Sequence, residues 1–374
     1  MDDCKSRPAV LPEAPEKSGV RREAMPCRHP EMMDVTFRES VLCRRQLEHG
    51  AVLETMKMLS NSGIEYIEIG YLKRGPGSNP LLNYSPEYIN RCFEICGGRV
   101  KLAAMMHPDD FSPVRYDIGT ISKLSLVRVT CKPDNMHKVR DIAGYFRPLG
   151  VEVSMNLLRA SKFSDAQSVE YCAMAQEYGA GFFYIADSNG HFLPTHQVRG
   201  RISALKENFP GMRIGFHPHD NLGLATVNAM EAAQGGADIV DSSVLGYGKG
   251  AGNLRTELFP LALGRLTGHY RIEDIYALFK VAQHFHHNVV SSNSFEEQYK
   301  FSMYGLFDID LDVDRKICEV SGVMGLEDHE VAFELIRRSN GDIDELGALI
   351  KGLTPQMFQA GSLKGAGFET RRGV

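Results

Sequence analysis

His217-Pro218-His219 closes the apolar run Ile214-Gly215-Phe216 and is followed at once by Asp220-Asn221-Leu222-Gly223. In a β-strand, residues two apart project from the same side, so two imidazoles at this spacing can reach one metal ion. A bare His-x-His in a chain with 13 histidines is ordinarily a pair of solvated loop side chains. The setting argues otherwise. The pair ends one of eight evenly spaced apolar runs, and the first of these ends in Asp34-Val35-Thr36-Phe37-Arg38-Glu39, with a carboxylate and a guanidinium at the equivalent place. Two histidines and one carboxylate leave about half of an octahedral shell open, which suits Mn2+ or Mg2+, with Zn2+ or Co2+ as alternatives. A 2-oxo acid chelates such an ion through its carboxylate and carbonyl oxygens, and the ion then stabilises the enolate formed when a bond to C3 breaks or forms.

Other polar residues fall at the ends of the same runs. Arg38 carries a planar fork suited to an enolate or carboxylate, but being adjacent to Glu39 it reaches the same point only if the strand stops and the chain turns. Glu68, in Ile67-Glu68-Ile69, needs a cationic partner if buried, and Arg38 is the evident one; a purely structural ion pair is the other reading. Arg128, at the end of the fourth run, is taken as a substrate contact. Lys73 and Arg74, in the loop after the second run, either recognise an anionic group or are solvated loop charges. The loop Gly246-Tyr247-Gly248-Lys249-Gly250-Ala251-Gly252-Asn253 follows the eighth run. Its glycines, Gly248 and Gly250 at the centre, permit positive φ and close approach to a substrate or phosphate, although flexible connection is the usual reason for such a loop. Asn253 offers either a fourth metal contact or an anchor for the loop.

The elements that must hold these residues repeat from residue 32 onward. Strands are expected at Met32–Thr36, Tyr66–Ile69, Lys101–Met105, Ser125–Val129, Glu152–Asn156, Phe182–Ala186, Arg213–Phe216 and Ile239–Asp241. Helical segments lie between them, several closing on a glycine, and the unit after Met105 is the least regular. This rhythm predicts an α/β fold, a (β/α)8 TIM barrel, whose functional groups sit at the carboxyl ends of the strands. An open doubly wound sheet is the alternative, but no dinucleotide fingerprint follows the first strand. The expected organisation is a disordered extension over 1–30, a barrel over 31–264, a C-terminal helical region over 265–360 and a flexible tail over 361–374. The net charge of −5 gives no basic footprint for nucleic acid. No apolar stretch is long enough to span a membrane, and no signal-peptide core opens the chain. The eight cysteines show no Cys-x-x-Cys spacing, which fits reduced thiols in the cytoplasm.

Five motifs, in order, carry a family likeness: Asp34 to Glu39; Ile67-Glu68-Ile69-Gly70; Ala186-Asp187-Ser188-Asn189-Gly190; His217 to Gly223; and Gly246 to Asn253 followed by Glu257. Over about residues 32–263 the chain resembles the 3-hydroxy-3-methylglutaryl-CoA lyase-like superfamily of metal-dependent barrels, among which the 4-hydroxy-2-oxovalerate aldolase type is nearest. The resemblance implies that Glu39, His217 and His219 bind the metal, that Arg38 stabilises an enolate oxygen, and that Glu68 holds Arg38. It implies a small 2-oxo acid as substrate, a homo-oligomer and a partner dehydrogenase. Two departures stand out: Glu39 occupies the place of the family's usual Asp, and Leu42 the place of the aldolases' acid/base histidine. Proton transfer then falls to His107, an imidazole at a strand end, or to Tyr304, which the resemblance suggests as a tyrosine reaching back from the helical region. The leading reading is a carbon–carbon lyase. A Claisen-type acyltransferase joining an acyl-CoA to a 2-oxo acid, and a non-catalytic metal- or ligand-binding barrel, stay open beside it.

Overall fold

In the computed structural model the described residues run from 29 to 358, apart from 44–46, 48, 76–78, 194, 268–271, 290–299, 302–303, 306–307 and 340–341. The extension expected over 1–30, save its last two positions, and the tail expected over 361–374 lie outside the described residues. Eight strands, β1 (Glu31–Asp34), β2 (Tyr66–Tyr71), β3 (Lys101–Met106), β4 (Leu126–Cys131), β5 (Glu152–Leu157), β6 (Phe182–Asp187), β7 (Arg213–Pro218) and β8 (Ile239–Ser242), form a closed barrel in chain order. Every pair is parallel, and β1 closes on β8. The (β/α)8 fold expected from the run spacing is therefore the fold observed. The irregular third unit consists of two 3-10 turns, Pro108–Asp110 and Pro113–Arg115, and a four-residue helix, Ile118–Ile121.

One boundary differs from expectation in a way that matters for the site. The first strand stops at Asp34 rather than Thr36, and Thr36–Ser40 forms a short helix, α1. Asp34 causes the stop: its Oδ1 accepts the Thr36 N–H at 3.0 Å, an Asx turn that ends extended pairing. Its Oδ2 accepts from Thr256 Oγ1 at 2.7 Å, and burial pushes the carboxyl up to about 6. Arg38 and Glu39 thus project from a helical turn, where adjacent side chains are about 100° apart rather than on opposite faces.

Inside the barrel, the period of two along each strand stacks an apolar floor beneath a polar layer. Met33, Tyr66, Ala103, Leu126, Phe182, Tyr184 and Ile239 make the floor. Two residues further along their strands, Tyr66, Leu126 and Ile239 give way to Glu68, Arg128 and Asp241, all buried. Gly215 belongs to this design, since a Cβ there would meet the Tyr184 ring, and that ring lies 4.3 Å from the Arg128 guanidinium.

After β8 the described residues contain helices and no further strand, with helices at Ile272–Val289, Asp314–Met324, Asp328–Arg338 and Ile343–Lys351. Phe301, Tyr304, Ile317, Val331, Leu335 and Leu346 give this region its own apolar cluster. One stretch of it, residues 308–312, lies across the carboxyl-end face of the barrel. Asp308 Oδ1 accepts from Asn189 Nδ2 at 2.7 Å and Ser161 Oγ at 3.0 Å. Arg159 reaches Asp310 at 2.6 Å and Asp312 at 2.7 Å, and Lys249 Nζ reaches Asp312 at 2.6 Å. Asp312 thereby fastens two loops, those after β5 and β8. Because its carboxylate is well exposed, Asp312→Asn should cost only about 0.2–1 kcal/mol in global stability. The expected change is local: faster hydrogen exchange at Lys249 and Gly252 with unchanged exchange in β4 and β5. Equal exchange in both proteins would show that the fastening is inert.

Candidate metal centre

Three elements bring the candidate ligands together. Glu39 comes from α1, and His217 from the end of β7. His219 lies just beyond β7, where its backbone forms a bridge with Asn253 of the glycine-rich loop. The two imidazole Nε2 atoms stand 3.3 Å apart, Glu39 Oε1 lies 3.8 Å from His217 Nε2, and one ligand atom from each of the three residues falls within 4.8 Å of the others. Adjacent ligands about 2.1–2.2 Å from one ion stand about 3 Å apart, so the spacing fits a shared divalent cation. The buried Asn253 Oδ1 has no hydrogen-bond partner among the described residues, while its amide nitrogen donates to Tyr247 O at 3.4 Å. A carboxylate, two imidazoles and an unpaired amide oxygen form a chemically sensible donor set for such an ion.

Electrostatics prepares the imidazoles as ligands. Burial pulls His219 well below the ordinary histidine value, and the nearby His217, Arg38 and Lys249 add to it. Burial also lowers His217, partly opposed by its contact with Asp241. Both rings are therefore neutral near pH 7 and offer lone pairs. Glu39 is held from two sides: Arg38 donates to Oε1, and the Lys249 backbone N–H donates to Oε2 at 3.1 Å. Gly248 makes that approach possible, because a Cβ there would crowd Glu39 Oε2 and the Asn253 amide. At Gly250, with φ +73°, a Cβ would meet Asn221 Oδ1 at 2.7 Å and Leu311 at 3.1 Å. Both glycines thus have a packing reason in the protein itself, whereas sequence alone suggested a cradle for substrate.

Arg38 Nε donates to Glu68 Oε2 at 2.6 Å, so the guanidinium bridges Glu68 and Glu39. Arg128, expected as a substrate contact, is fully enclosed below this pair and has no surface left for a ligand. It lies 3.1 Å from Glu68 Oε2 and is ion-paired with Asp241. Burial opposes its charge, but Asp241 and Glu68 more than offset that and hold it protonated. Lys73 and Arg74 are exposed, and their backbone is fixed by Arg115 donating to Lys73 O at 3.2 Å and by Asp110 accepting the Arg74 N–H at 3.0 Å.

The two candidates for proton transfer stand apart from the cluster by their contacts. His107 is half exposed and its ring lies 3.5 Å from the Asp109 carboxylate. Tyr304 is completely buried, with its ring against Phe301 and its hydroxyl donating to Asp314 at 3.3 Å. Burial pushes the nearby Cys43 thiol up to about 12, which keeps it protonated. Sequence reasoning missed two contributors. Tyr71, at the end of β2 and two residues past the expected strand end, is hydrogen-bonded to Arg38, and burial raises its phenol so that it stays protonated. Asp241, visible as a strand-end acid but given no role, has Oδ2 3.0 Å from His217 Nδ1. Its position two residues after an inward Ile239 was the available signal.

Comparison with known proteins identifies the family and supports the fold. The model of the HMGL-like family matches residues 29–285. A 4-hydroxy-2-oxovalerate aldolase of Chloroflexus aggregans is 30% identical over 259 residues, covering 68% of this chain and 75% of that protein. The enzyme of the same name from Bacillus cereus is 31% identical over 258 residues, covering 65% and 72%. Among solved structures, the N-terminal domain of a putative aldolase from Bacteroides vulgatus aligns with a TM-score of 0.62 at 19% identity, over 78% of this chain and 96% of that one. The HMG-CoA lyase of Bacillus subtilis aligns with a TM-score of 0.60 at 18% identity, over 73% and 99%. At those identities the structural matches speak for the fold.

Proposed function

Because the chain belongs to the HMGL-like family, we propose that it is a divalent-metal-dependent carbon–carbon lyase of the aldolase type that cleaves a 4-hydroxy-2-oxo acid to pyruvate and an aldehyde. The observation that carries this reading is the convergence of Glu39, His217 and His219 beside the bridging guanidinium of Arg38. Glu39, His217, His219 and Asn253 would hold the ion, Mn2+ or Mg2+ by donor type, with Zn2+ or Co2+ as alternatives. When bound, it supplies Lewis-acid chemistry to a 2-oxo acid.

The chain's own residues do the rest. In the cleavage direction the C4 hydroxyl loses its proton, the C3–C4 bond breaks, and its electron pair moves to the C2 oxygen as an enolate. Arg38, held by Glu68, directs its fork at that oxygen, where charge develops only along the reaction path. Lys73 and Arg74 remain available to attract an anionic substrate. Proton exchange is assigned to His107, whose imidazole is accessible from solvent on the loop after β3, and Tyr304 is withdrawn because its hydroxyl is committed to Asp314 inside the helical cluster. His107→Asn should flatten the neutral limb of the pH–rate profile while metal content stays the same; an unchanged profile would move the assignment to another group.

A cytoplasmic setting fits the free thiols of the described cysteines. A homo-oligomer and a partner dehydrogenase follow from the family resemblance. The deciding experiment incubates the Mn2+-loaded protein with a panel of 4-hydroxy-2-oxo acids and separately with acyl-CoA plus 2-oxo acids. Metal-dependent pyruvate release supports the lyase. Thiol release without pyruvate would identify a Claisen-type transferase, and inertness in both arms with metal bound would identify a non-catalytic barrel.

A further inference from the structure

Six buried side chains close a ring around the barrel mouth. Glu39 pairs with Arg38, Arg38 with Glu68, Glu68 with Arg128, Arg128 with Asp241 and Asp241 with His217, whose Nε2 returns to within 3.8 Å of Glu39. We propose that Asp241 and Arg128 are positioning residues that preset this site: Asp241 fixes the tautomer and orientation of His217, and Arg128 locks that arrangement to the Glu68–Arg38 pair. The proposal deepens the metal-dependent reading above and rests on it in one respect, that the ion is received by His217 Nε2.

The argument starts from the imidazole. A neutral ring carries one N–H, and an ionised carboxylate can only accept. With Asp241 Oδ2 3.0 Å from Nδ1, the proton resides on Nδ1 and the Nε2 lone pair faces His219 and Glu39. Among the described residues no carboxylate pairs with His219 in this way; its ring meets the Lys249 backbone instead. His217 is therefore the histidine whose tautomer a carboxylate sets in advance. Asp241 cannot swing away, because Arg128 grips the same oxygen, Oδ2, and Arg128 cannot swing away because the Tyr184 ring lies 4.3 Å from its guanidinium. The far side of the ring is coupled in the same manner: Glu68 Oε2 is shared by Arg38 Nε at 2.6 Å and Arg128 at 3.1 Å. One enclosed guanidinium thus sets both the histidine that meets the ion and the arginine that meets the substrate oxygen. A planar fork holds the two carboxylates in fixed directions, whereas an ammonium is a point charge on a flexible stem.

The test uses metal-free, full-length protein with 15N-labelled histidine. Wild type should show His217 as a single tautomer protonated at Nδ1. Asp241→Ala should give a tautomer mixture and weaken Mn2+ binding, followed calorimetrically, by about 10- to 100-fold, the usual cost of losing a carboxylate behind a metal-binding histidine. Asp241→Asn keeps an oxygen acceptor and should recover most of both. A packing role alone would not move the tautomer, so an unchanged tautomer and Mn2+ affinity in Asp241→Ala would overturn the proposal. If that variant fails to fold, Arg128→Lys decides: reduced Mn2+ affinity in a folded protein supports the coupling, and wild-type affinity overturns it. If wild type itself binds no Mn2+, the metal reading fails, while the tautomer comparison still judges the positioning role.

Discussion

His219→Ala is expected to abolish stoichiometric Mn2+ binding and to lower kcat/KM by about 10³-fold or more, because a Lewis acid at a developing oxyanion contributes several kcal/mol of transition-state stabilisation. The structure gives the reason for so large a loss. Its Nε2, 3.3 Å from that of His217, completes a three-residue cluster, and the Oδ1 of nearby Asn253 has no hydrogen-bond partner among the described residues. Removing one imidazole leaves two side-chain ligands, one of them a carboxylate already engaged by Arg38 and the Lys249 N–H. The fold should survive, since among the described residues no ion pair of His219 is lost and its polar contact is with the Lys249 backbone. Metal analysis and thermal melting measure the two halves. Full activity of this variant, or of wild type in thorough chelator, would refute the metal assignment.

Arg38→Lys should lower kcat by about 10²- to 10³-fold, the cost seen when one donor to a developing oxyanion is removed. Charge is conserved in this substitution, but geometry is not. The guanidinium spans Glu68 through Nε and Glu39 through Nη1 at the same time. An ammonium on a flexible stem keeps the charge but not the fixed, planar directions of the donors. If Arg38 acts on the enolate, Mn2+ affinity should change much less than kcat. Parallel losses of metal and rate would make it a structural bridge. Arg38→Met is the harsher control: it leaves buried carboxylate charge with less compensation and should cost about 3–5 kcal/mol in stability, which separates folding from chemistry.

The sequence by itself determined the barrel and most of the candidate ligand cluster. Eight apolar runs at even spacing, each followed by a helical segment, admit few arrangements other than a closed parallel sheet, and closure places every strand end on one face. His217 and His219 were legible because a period of two is a local property of one strand. Glu39 was legible through its equivalent place on the first run. Three matters were decided only by the tertiary structure. Whether Arg38 and Glu39 could act together depended on where β1 stops, and that is fixed by Asp34 bonding to Thr36 N–H and to Thr256, 222 residues away in the chain. Arg128 read as a strand-end cation open to substrate, yet Glu68 from β2 and Asp241 from β8 enclose it, because closing the barrel brings together residues that no spacing along the chain relates. Tyr304 read as a tyrosine reaching back to the mouth, but its own helical region offers a complete apolar site and an Asp314 acceptor. Local periodicity records which way a side chain points; which charge it meets there is set by the packing of distant segments, where burial makes an unpaired charge too costly to leave alone.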